Sequence, residues 1–141
     1  MGNDLAALEV KRAELYQQLQ ETGDFRRGTI SVLYRKCGKK NCACTHEGHP
    51  GHGPLHLWNA TIRGKSYARN VKPGTELEKY LEEIDNHHRF VRLCGEIVET
   101  NEQICALRPL PVIADEDELA ELKKKQQKRL QGKYKEKWSA S

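Results

Sequence analysis

Three cysteines within eight residues, Cys37-Gly38-Lys39-Lys40-Asn41-Cys42-Ala43-Cys44, with His46, His49, His52 and His56 close behind, constrain this chain more than any other feature. Thiols this close can meet at one point only if the backbone turns sharply between them, and Gly38 and Asn41 permit such a turn. The chain has five cysteines, an odd number, and its opening MGNDLAALEVKR carries charges where an export signal carries an apolar run. The cluster is therefore expected to be a metal site in a cytoplasmic protein rather than a set of disulfides. Zinc takes four tetrahedral sulfur or nitrogen donors, so Cys37, Cys42, Cys44 and one imidazole would close its coordination sphere. A closed sphere makes the zinc structural and argues against an enzyme. His46 sits too close to Cys44 to reach back easily, whereas His52, in a Gly-His-Gly-Pro turn, can fold onto the knuckle. His52 is the expected fourth ligand, with His46, His49 and His56 as the alternatives.

With 141 residues, 37% of them hydrophobic and 31% charged, the chain can bury only a small core. Metal, helix pairing or a partner must then supply part of its stability. No apolar run approaches the roughly 20 residues of a membrane span, so no membrane association is expected.

The periodicities predict an α+β fold. Residues 1–24 form an N-terminal helix whose stripe, Leu5, Leu8, Arg12, Leu15 and Leu19, follows coiled-coil-like spacing with a charge on the seam. Residues 25–74 form a zinc-knuckle β domain: a first strand between Phe25 and Leu33, the metal loop, then Leu55 to Ile62 and Lys65 to Val71 joined by a turn at Arg63-Gly64. The economical arrangement is a small three-stranded antiparallel sheet. Thr75 and Glu78 make a capping box that opens a long helix over residues 75–106. Its expected stripe is Leu77, Leu81, Ile84, His88, Val91, Cys94, Val98, Asn101 and Cys105, which matches the first helix in period. The two should pair, within one chain or across a homodimer. Residues 107–114, with Pro109 and Pro111, form a stiff linker, and residues 115–141 a basic C-terminal helix with acidic groups at its start.

Between Gly28 and about Arg92 the pattern resembles an uncharacterised bacterial and archaeal domain family often met beside or within transposon-related reading frames. The resemblance rests on Gly28-Thr29, Cys37-Gly38-Lys39 with Cys42-Ala43-Cys44, the His52-Gly53-Pro54 turn, the strand Leu55 to Trp58, and Gly64-Lys65. It implies a zinc-knuckle-like sheet with a trailing helix in a mobile-element setting, and it supplies no reaction.

Charge suggests the partner. The segment Phe25 to His46 carries Arg26, Arg27, Arg35, Lys36, Lys39 and Lys40 with no acidic residue, and the hairpin adds Arg63, Lys65, Arg69 and Lys72. A rigid basic surface is what phosphate contacts need, so these ten residues are the expected contacts to DNA or RNA. Tyr34, Trp58 and Tyr67 would add stacking if they face outward. The expected function is a zinc-stabilised nucleic-acid-binding accessory subunit of a larger complex, with any recombinase or nuclease chemistry on another chain. The other reading is a protein-interaction adaptor with a structural zinc and no direct contact to nucleic acid.

Overall fold

The computed structural model describes the backbone of residues 2–139 and the side chains of residues 4–133. The fold is α+β. Helix α1 (Gly2–Gln20) leads through an irregular segment to strands β1 (Thr29–Arg35), β2 (His52–Ile62) and β3 (Lys65–Val71), followed by helices α2 (Thr75–Leu107) and α3 (Glu116–Ser139). Residues 1–107 and residues 108–141 form two separate compact units.

In the first unit α1 pairs through its expected stripe, whereas the buried core that α2 contributes lies off the stripe expected there. Leu15 of α1 is buried with Leu93 and Ile97 of α2, and Leu19 packs against them. Arg12 sits on the same seam and donates to Asn101 Oδ1 across the helices at 3.0 Å, so the charge is satisfied rather than stranded. The buried positions of α2 are Tyr80, Ile84, Leu93, Ile97, Thr100 and Ile104, whereas Leu81, Val91 and Val98 are exposed, as is Cys105. Of the expected α2 stripe only Ile84 is buried. Helix α2 has two neighbours: Tyr80 near its start meets Trp58 of the sheet edge-on at 6.0 Å, and its later turns meet α1. One stripe of constant phase cannot face both.

The start of α2 also departs from the expected capping box. Glu76, not Glu78, turns back to accept the Lys72 backbone amide at 3.3 Å, and Glu78 donates its own amide to the Gly74 carbonyl. Between α1 and β1 the chain crosses α2. Phe25 stacks on Phe90 at 4.7 Å, Asn86 donates to the Asp24 carbonyl, and Arg26 pairs with Glu83 at 2.9 Å. This contact holds residues 24–26 against the helix, so β1 starts at Thr29 and runs two residues beyond Leu33.

The sheet has the order β1-β2-β3 and is antiparallel throughout. Arg63 and Gly64 both take positive φ, 54° and 75°, the backbone that a two-residue hairpin requires to match strand twist. The β1-β2 ladder runs from Thr29 opposite Asn59 to Arg35 opposite His52, with a bulge between Leu33 and Arg35. Residues 36–51 therefore form a closed excursion from one end of the sheet.

In the second unit, Asp115 caps α3 by accepting the Asp117 amide at 2.9 Å. Of the α3 side chains described, every one is exposed except the half-buried Leu119. Among the described residues, no helix is long and apolar enough to cross a membrane.

Candidate metal centre

The sheet brings the two ends of the excursion together, because the Arg35–His52 pair sets Cys37 two residues beyond one strand and His52 at the start of the next. Both residues flanking His52 are glycines for a steric reason. A Cβ on Gly51 would lie 2.8 Å from the Arg35 carbonyl carbon, and one on Gly53 would lie 2.7 Å from the Leu33 carbonyl oxygen. Both glycines also hold positive φ, 102° and 151°. Only glycine lets the β2 backbone pass this close to β1, and the passage aims the imidazole into the loop.

Inside the loop, Gly38 turns the chain at φ 80°. Cys42 then precedes a short 3-10 helix, Ala43–Thr45. Its carbonyl accepts both the Thr45 amide at 3.1 Å and the Thr45 hydroxyl at 2.7 Å, which fixes the turn that places Cys44 inward. Cys44 is fully buried, Cys42 half-buried, and Cys37 and His52 exposed.

The donor atoms of Cys37, Cys42, Cys44 and His52 all lie within 4.8 Å of one another. Cys37 Sγ is 3.6 Å from Cys44 Sγ, and Cys42 Sγ is 3.1 Å from His52 Nε2. Tetrahedral zinc with ordinary bond lengths separates two sulfurs by about 3.8 Å and a sulfur from a nitrogen by about 3.5 Å. These two separations lie within a few tenths of an ångström of those values, and three soft sulfurs with one imidazole are the donor chemistry zinc selects.

Electrostatics divide the thiols. The Cys44 backbone amide, then hydrogen bonds from the Cys44 and Cys37 thiols and a smaller one from His52, pull Cys42 down from 9.0 to about 6 against a burial penalty. For Cys44, a backbone hydrogen bond from Cys37 works downward, but burial and the neighbouring thiols Cys42 and Cys37 outweigh it and push the group up. Three thiols packed together cannot all ionise without a cation among them, and a divalent ion resolves that conflict.

The other histidines stay outside the cluster. His46 is exposed, while His49 Nδ1 accepts the Gly51 amide at 3.0 Å and so shapes the approach to His52. His56 lies mid-strand opposite Val32 and Val71, with Nδ1 buried and unpartnered. The requirement for Gly51 and Gly53, and the role of Thr45, are contributions that the ligand spacing does not display. The only sequence signal for them is the Gly-His-Gly triplet itself.

The ten basic residues separate into groups. Arg26 is taken up internally, bonded to Glu83 with its guanidinium 3.7 Å above the Tyr80 ring, so it braces the fold instead of facing a ligand. Arg35, Lys36, Lys39 and Lys40 are exposed on the metal loop and the strand entering it. Arg63 and Lys65 lie at the hairpin, the other end of β2, about 30 Å away for a strand of this length. Arg27, Arg69 and Lys72 are exposed between these ends. Tyr34 and Tyr67 are exposed, but Trp58 is half-buried, with Nε1 donating to the Arg27 carbonyl and its ring against Tyr80. Trp58 is a packing residue.

No curated protein and no solved structure matches the chain. One family does match, over residues 5–79, a stretch that takes in most of α1, the whole sheet, the four candidate ligands and the first turn of α2. This chain belongs to that family, described as Domain of unknown function (DUF6788).

Proposed function

We propose that this chain is a zinc-stabilised nucleic-acid-binding subunit that works within a larger nucleoprotein complex, with the mobile-element setting resting on the family resemblance alone. The observation that carries the reading is the loop itself. Arg35, Lys36, Lys39 and Lys40 are exposed together on a segment whose ends are tied by the sheet and whose interior would be tied by metal. Cations held rigidly lose little freedom on meeting phosphate, which favours binding without base specificity. The reading includes no catalytic step, because four protein donors leave the metal no position for substrate.

The test is salt-dependent binding of metal-loaded, full-length protein to single-stranded and duplex DNA and RNA. Affinity should fall with rising salt, and removing one contacting cation should lower the slope by roughly one. The triple charge reversal Arg35→Glu, Lys39→Glu and Lys40→Glu should weaken binding far more than truncation after Leu110. The opposite ranking would assign binding to the basic tail, and no binding at about 50 mM salt would overturn the proposal.

A further inference from the structure

One face of α2 is left uncovered by the α1 pairing, and its charges are arranged to fit a copy of itself. His88, Val91, Gly95, Val98, Glu102 and Cys105 recur at spacings of three and four and so share one face of the helix. Val91 and Val98 are each 54% exposed, and nothing lies within 4 Å of the position a Gly95 Cβ would occupy. Glycine inside a helix weakens it, so its presence between the exposed Val91 and Val98 is a cost without return in the single chain. Close approach of a second helix supplies the return.

Charge selects the occupant and its direction. From His87 to Arg92 this part of α2 is basic, whereas from Glu96 to Glu102 every charged residue is acidic. Two copies of α2 running antiparallel, with a two-fold axis at Gly95, set His88 against Glu102 of the second copy and Arg92 against Glu99. Val91 then meets Val98, and the two glycines face each other at the crossing. A parallel pair would instead stack Glu99 on Glu99 and Glu102 on Glu102. Antiparallel symmetric pairing is isologous, so every favourable contact occurs twice.

We propose that the exposed face of α2 is a homodimer interface, two copies packing antiparallel across Gly95. The inference is independent of nucleic-acid binding. Two native cysteines report the geometry. Cys94 lies one residue from the two-fold axis and meets its own counterpart, whereas the two Cys105 residues lie about 30 Å apart, at 1.5 Å per residue on either side of the axis.

Full-length, metal-loaded protein is examined by sedimentation equilibrium and by a short bismaleimide crosslinker. The expected mass is twice 16.2 kDa, with crosslinking abolished by Cys94→Ser and unaffected by Cys105→Ser. Val98→Asp should give a monomer with an unchanged circular dichroism spectrum, because the side chain it replaces is exposed within the chain. Arg92→Glu should raise the dissociation constant by about tenfold, since two opposed pairs become two like-charge pairs. Adding Glu99→Arg should restore it. A monomer at all concentrations, crosslinking through both cysteines, or failure of the double charge swap to rescue would each overturn the proposal.

Discussion

Between Cys37 and Pro50 the chain buries a single side chain, that of Cys44, whereas between Tyr80 and Ile104 helix α2 alone buries six. The loop has almost no apolar core with which to offset the entropy of ordering fourteen residues, roughly 1 to 2 kcal/mol for each backbone. Its order rests on local hydrogen bonds, those of the Cys42 turn among them, and a metal on the four candidate donors would add to it. The helix pair carries its own core of Leu15, Leu93 and Ile97, fixed in register by the Arg12–Asn101 bond. With metal bound, one region would be held by chemistry at a point and the other by area, so they should fail separately.

The largest effect expected is at the loop. Structural zinc sites in small peptides bind with about 10 to 16 kcal/mol, most of which is folding free energy. Purified protein should carry about one zinc per chain. Cys44→Ser, or a strong chelator, should remove it and release the loop and the Arg35–His52 end of the sheet, leaving most helical ellipticity in place. Metal analysis together with amide exchange over residues 36–52 measures both halves of that outcome. Zinc content unchanged by Cys44→Ser would show that the buried thiol is packing and not a ligand.

Next in size is the converse break. Leu93 is 1% exposed at the centre of the helix pair, and truncating such a leucine to alanine typically costs about 2 to 5 kcal/mol. Leu93→Ala should lower the thermal midpoint, at roughly 2 to 4 °C per kcal/mol for a chain near this size, without releasing metal. Simultaneous loss of zinc from the folded variant would mean that the two regions are one cooperative unit.

The same contrast explains what the sequence discloses. The knuckle is legible because its constraints are local and chemical: cysteines within eight residues, a histidine between glycines, and a hairpin marked by Arg63-Gly64. Strand β3 begins and ends where the alternation places it, at Lys65 and Val71. Helix α2 is legible as a helix but not in its phase, because it has apolar residues on more than one face. Leu93 and Ile97 and the neighbouring Val91 and Val98 satisfy a three-four spacing equally well, and only the positions of α1 and the sheet decide between them. Arg26 misleads for a related reason. Its run of basic neighbours suggests an open surface, but Glu83 and Tyr80, over fifty residues away in sequence, capture it.

The smallest effect lies where the two regions join, and it sharpens the comparison through pH. Glu83 bridges the helix and the segment entering the sheet, with 12% of its side chain exposed. A hydrogen bond from Lys79, then the charge of Arg26, hold its carboxyl below its ordinary value of 4.5 despite a desolvation penalty. With a folded pKa below the unfolded one, the unfolded chain binds more protons in the interval between them. The stabilisation from Glu83 is thus fully present above about pH 4.5 and is lost as pH falls through the folded value. Acid also protonates thiolates and imidazole and so releases metal, which makes the wild-type profile alone uninformative. The measurement is therefore the difference in urea midpoint between wild type and Glu83→Gln, taken at neutral pH and again below the folded pKa. That difference should shrink on acidification while both proteins lose zinc in parallel. A difference that stays constant with pH would mean that Glu83 acts through its hydrogen-bonding shape and not through its charge.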